Sequence, residues 1–173
     1  MAKRRNFKRL VLGDIVEIPI SKGKFAYAQV VYNYTKPPHW GHLLQVLHGT
    51  YARMPENLDA LIARDPQFCA FYPAATALNR GWIRIVAHAE LSKEHHSLPL
   101  FKARNTNFQT GKHTWWLWDG EMEWRVGELS PEHYDLPLLQ LISHEVLVER
   151  IKTGWRHRDE IHDLPPMTNQ GDH

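Results

Sequence analysis

An α+β domain is the fold class this sequence predicts: a mostly antiparallel, strongly bent sheet or partly open barrel with a C-terminal helix packed on it. Three observations lead there. Short alternations of apolar and polar residues recur up to Val126, turn-forming residues separate them, and a longer helical pattern follows over residues 137–152. At 173 residues, with 43% hydrophobic content and seven Trp, the chain has material for one sizeable core. We expect a basic arm over residues 1–12, a single globular domain over 13–155 and a C-terminal tail over 156–173.

Taken in order, Gly13 to Pro19 alternates, with Ile15 and Glu17 on one side and Val16 and Ile18 on the other. The turn Lys22-Gly23-Lys24 joins it to a second strand, Phe25 to Tyr34, which Pro37-Pro38 ends because proline has no N–H to donate. His42 to Tyr51 reads as a third strand. Leu58, Leu61 and Ile62 have the spacing of a short helix reaching Arg64. Gln67 to Tyr72 and Trp82 to Glu90 are two further strands, and residues 91–112 form a connection with an irregular edge strand near Leu100. Ser130-Pro131-Glu132 is a helix-entry signal, and Gly154 marks the end of the 137–152 helix.

The stretch Trp115 to Val126 reads as a β-hairpin. Asp119-Gly120 suits a two-residue turn of positive φ, which sets Trp118 opposite Glu121 and Leu117 opposite Met122. The period of two then places Trp115, Leu117, Met122, Trp124 and Val126 on one face, expected to be core. Trp116, Trp118, Glu121, Glu123 and Arg125 share the other, which is a candidate partner-binding surface unless a helix or loop covers the two tryptophans.

The net charge of +2 conceals an asymmetry. Lys3, Arg4, Arg5, Lys8 and Arg9 lie before residue 11, so the remainder is net acidic. Between Trp116 and Glu149 eight carboxylates face the single base Arg125. Such a field steers a basic partner. The opposite reading uses the basic arm on nucleic-acid phosphates, with exposed aromatics stacking bases.

Enzyme chemistry finds little support in the spacing. His88-Ala89-Glu90 lacks the cysteine pair of a zinc deaminase, since Cys69 is the only cysteine. His144-Glu145 begins like a zinc-protease helix, but Val148 stands where the second His is required. His95-His96 and His157 with His162 remain candidates for weak metal ligation, although exposed histidines of this kind are usually solvated. There is no Gly-x-Ser-x-Gly and no phosphate loop, and Cys69 reads as a small buried hydrophobe. No catalytic residue, metal or cofactor is expected. No apolar run approaches a membrane span, and the basic start has no apolar stretch behind it, as a cytoplasmic protein would show.

Several segments together resemble a known family. Gly13-Asp-Ile-Val-Glu-Ile-Pro with Gly23-Lys-Phe-Ala-Tyr-Ala-Gln-Val30, then Gly81-Trp-Ile-Arg-Ile-Val, Leu98-Pro-Leu-Phe-Lys102, Trp118-Asp-Gly and Val126-Gly-Glu-Leu-Ser130, are similar to the immunity protein family numbered twenty-six of bacterial polymorphic-toxin systems. The match is scattered from Gly13 to about Ile151, and residues 36–65 depart from it as an apparent insertion. The resemblance implies a non-enzymatic cytoplasmic protein, mostly β, that binds and neutralises a protein toxin. A basic nuclease toxin would suit the acidic stretch.

Overall fold

The computed structural model describes residues 9–93 and 97–164. Most of the basic arm and the last nine residues lie outside that range, as do His95 and His96. The chain divides into two compact units. The first runs to Ser97 and takes up again over Gln140–Trp155; the second comprises Leu98–Leu139 and continues from Arg156. The α+β class holds: among the described residues, eight strands form two antiparallel sheets that do not close into a barrel.

In the first unit the sheet runs in the order β4(Phe68–Tyr72), β3(Gly41–Val46), β2(Lys24–Tyr34), β1(Asp14–Ser21), β5(Arg84–His88). The β1–β2 hairpin pairs Ile15 with Gln29 and Ile18 with Ala26, turning at Gly23 with φ of 72°. Register shifts at Ile15/Val16, Pro19/Ser21 and Val30/Tyr32 mark bulges, which bend and twist strands.

The inner strands are covered on both faces. Val16, Ile18, Ala28, Leu44, Val46 and Ala70 share one core with Ala74 and Ala77 of α2(Ala74–Asn79) and with Leu147 and Ile151 of α3(His144–Thr153). Burying the last two contributes about 1.5–3 kcal/mol each. Ile15, Tyr27 and Leu47 form a smaller cluster with Leu61 of α1(Leu58–Ile62). The Asn57 side chain caps α1 by accepting from Ala60 N at 3.0 Å.

The C-terminal helix starts later than its sequence pattern predicts. Residues 137–142 are not helical. Lys102 N donates to Pro137 O and Leu139 N to Lys102 O in the second unit, while Ile142 N donates to Phe71 O in the first. These backbone bonds to existing strands outweigh a helical spacing of leucines. Ser143 then supplies the true cap, its Oγ accepting from Val146 N at 3.3 Å, and Gly154 ends α3 in the left-handed region, as expected.

The second unit holds the sheet β6(Phe101–Thr106), β7(His113–Trp118), β8(Glu123–Gly127). The segment expected to be irregular is therefore a regular strand, paired with β7 from Phe101↔Trp118 to Thr106↔His113. Short 3-10 turns follow at Pro131–His133, where the Ser-Pro-Glu signal stands, and at His157–Glu160. Arg104 ties the last of these to β6 through Glu160, at 2.6 Å to the carboxylate and 2.9 Å to the carbonyl.

Candidate functional site

The β7–β8 hairpin turns more widely than a two-residue loop. The Asp119 carboxylate accepts from the backbone N–H groups of Glu121, at 2.9 Å, and Met122, at 2.7 Å. This side-chain turn holds four residues, Asp119 to Met122, out of the ladder. The same bonds hold the Asp119 carboxyl below its usual range, so it stays charged. Gly120 has φ of 102°, and a Cβ there would come within 2.8 Å of Leu98 Cδ1. The positive φ favours glycine there, while the Leu98 methyl, at the end of a flexible side chain, would have to move aside for a Cβ.

Pairing consequently shifts by two residues: Trp118 faces Glu123, Leu117 faces Trp124 and Trp116 faces Arg125, with a bulge before Trp115↔Gly127. A shift of two preserves the assignment of faces within the strands but removes Met122 from them. Two expected core residues are thereby corrected. Met122 is 65% exposed at the tip and Trp124 is 40% exposed on the outer strand, whereas Trp115 and Leu117 are buried as expected.

The five residues expected to bind a partner separate. Glu121, Glu123 and Arg125 are exposed, Trp116 is half-buried, and Trp118 is buried with its ring centroid 5.5 Å from that of Phe101. Trp118 packs the sheet. The residues that present apolar surface beside the acids are Met122 and Trp124, which sequence reasoning assigned to the core. An Asp able to accept from two following backbone N–H groups was the available signal for the wider turn. β8 is the outer strand of its sheet, and among the described residues no further strand pairs with it. An exposed edge, an indole and a thioether flanked by carboxylates can hold a protein strand or loop.

Several buried titratable groups elsewhere are engaged in structure. Tyr27 OH donates to Glu17 Oε2 at 3.0 Å and Arg84 Nε to Glu17 Oε1 at 2.6 Å, around a carboxylate that is nearly fully buried. Burial and Glu17 together push the Tyr27 phenol up. His88 Nδ1 lies 3.0 Å from Oδ1 of the buried Asp14. His144 stacks on Trp82 and bonds the hydroxyl of Tyr72 at 2.8 Å. Burial pushes the Cys69 thiol up to about 12, which leaves it unreactive near neutrality. Among the described residues no three His, Cys, Asp or Glu side chains converge as metal ligands, and no helix is long and apolar enough to cross a membrane.

Comparison with known protein families, with curated proteins and with solved structures finds no match to this chain.

Proposed function

We propose that this chain is a non-enzymatic binding protein of the immunity type, which captures and neutralises a protein toxin in the bacterial cytoplasm through the β7–β8 hairpin. The observation that carries the reading is the exposure of Met122 and Glu121 at the hairpin tip beside Glu123 and Trp124 on the outer strand β8. Large exposed aromatics are the usual anchors of protein interfaces, and carboxylates around them speed encounter with a basic partner. The likeness of the Gly13–Ile151 segments to the immunity family supports the same reading, with a nuclease as the fitting class of basic toxin.

The test uses the product of the reading frame adjacent to this gene. The chain is expected to protect cells expressing that product and to bind it in a salt-sensitive way. Glu121→Lys with Glu123→Lys should weaken binding by roughly ten- to hundredfold while the fold is retained. Protection and affinity unchanged by that double charge reversal would exclude the hairpin as the interface.

A further inference from the structure

The first unit holds a cleft that the hairpin reading does not use. It has a volume of about 650 Å³ and lies on the face of the sheet that α1 covers only in part. That volume falls within the range of small-molecule sites. Gln29 and Gln45 line it from β2 and β3, where they are direct cross-strand partners. Asp59 and Asp65 line it from α1 and the turn that follows, and Glu90 from the chain beyond β5.

Two glutamines side by side in a sheet interior need an explanation, since a buried amide must be hydrogen-bonded to offset its desolvation. Gln29 has one: its Nε2 donates to Ala89 O at 3.0 Å, which fixes the orientation of the amide and leaves its Oε1 as an acceptor. Gln45 is only 7% exposed, and its Oε1 is buried without a hydrogen-bond partner. The lining therefore offers amide oxygens and three carboxylates. Against those carboxylates, the described lining residues offer one permanent cation, Arg64, together with His88, which is paired with Asp14. A site so rich in acceptors and negative charge selects a ligand of the opposite character.

We propose that this cleft binds a compact organic cation with several N–H donors, of the guanidinium or primary ammonium type. The donors reach the glutamine oxygens, and the charge is balanced by Asp59, Asp65 and Glu90. The cation could be a free metabolite or an arginine or lysine side chain of a bound peptide. The chemistry of the cleft is the same for both.

The experiment is calorimetric titration of the full chain with agmatine, with spermidine and with an arginine peptide blocked at both ends, using N-butylurea, in which a neutral urea replaces the guanidinium, as the uncharged control. At least one of the three cations should bind and N-butylurea should not. Agmatine or spermidine binding alone identifies a free ligand, and peptide binding alone places the cation on a partner chain. Gln45→Leu removes the unpartnered amide at similar volume, so it should leave the thermal midpoint unchanged or higher. It should also weaken binding by roughly ten- to hundredfold, as loss of a hydrogen bond to a charged group does. Glu90→Gln, on the exposed rim, should weaken binding and reduce its salt dependence. No binding of any cation at millimolar concentration, equal binding of N-butylurea, or affinities untouched by both substitutions would overturn the proposal.

Discussion

Lys102 Nζ donates to the carbonyl oxygen of His157 at 2.7 Å, so a buried ammonium on β6 holds the C-terminal 3-10 turn of the second unit. The same nitrogen also donates to the carbonyl of Tyr134. Lys102→Met would keep the aliphatic stem but leave both carbonyls without this donor. The expected cost is about 2–4 kcal/mol in denaturant melts. Burial lowers the Lys102 pKa from 10.5 to about 8, with Asp135 and Glu160 opposing the shift. Between those values the unfolded chain binds more protons than the folded one, so stability from this group rises with pH. The gap between wild type and variant should therefore widen from pH 8 to 10.5; a constant or narrowing gap would show that burial does not lower this pKa.

Gly13 and Gly23 both have positive φ, at 89° and 72°, and offer a controlled pair. At Gly13 a Cβ would lie 2.5 Å from Ala89 O and 2.9 Å from His88 Cε1, while at Gly23 nothing lies within 4 Å. Gly23→Ala should cost only the left-handed backbone penalty, about 1–2 kcal/mol. Gly13→Ala adds a clash with a neighbouring backbone and should cost about 3–4 kcal/mol. Equal losses in thermal melts would mean that the close approach of β1 to the end of β5 relaxes freely.

His144 should titrate below pH 6.5 in the folded chain. Burial lowers its pKa, with Glu145 pulling weakly the other way. Its stabilising contribution is present above pH 6.5 and is lost as pH falls from there toward the folded pKa, because the unfolded ring takes up its proton first. Burial shifts His42 and His113 in the same direction. Proton NMR of the imidazoles gives the midpoints directly. In His144→Phe, which keeps a ring beside Trp82, the fall in stability below pH 6.5 should be smaller than in wild type; an equal fall would assign it elsewhere.

How much of this was legible in the sequence depends on how local each cause is. The β1–β2 hairpin, α1, β4 and β5 follow from alternation, turn residues and short spacing within their own segments. β6 was harder to see because Lys102 and Arg104 interrupt an apolar pattern, and both are satisfied by groups more than thirty residues away. The start of α3 was misplaced because Leu139, Ile142 and Val146 have helical spacing, yet the N–H groups of Leu139 and Ile142 donate to the carbonyls of Lys102 and Phe71. The pairing of Gln29 with Gln45 is a matter of register between strands, so no spacing along the chain announces the cleft.

The hairpin register makes Trp118 and Trp124 separable, although both flank the same turn. Trp118 is 8% exposed against Phe101, and its truncation removes a core ring; Trp118→Ala should cost about 3–5 kcal/mol. Trp124 lies 40% exposed on the outer strand, so Trp124→Ala should change stability by less than about 1 kcal/mol. If the hairpin is the toxin-binding surface, the order reverses for binding. Trp124→Ala should then lose on the order of thirtyfold or more in affinity, the signature of an interface anchor. Chemical denaturation and calorimetry on the two variants measure both quantities. A Trp124→Ala protein that is stable and binds the adjacent gene product as tightly as wild type would place the interface away from β8.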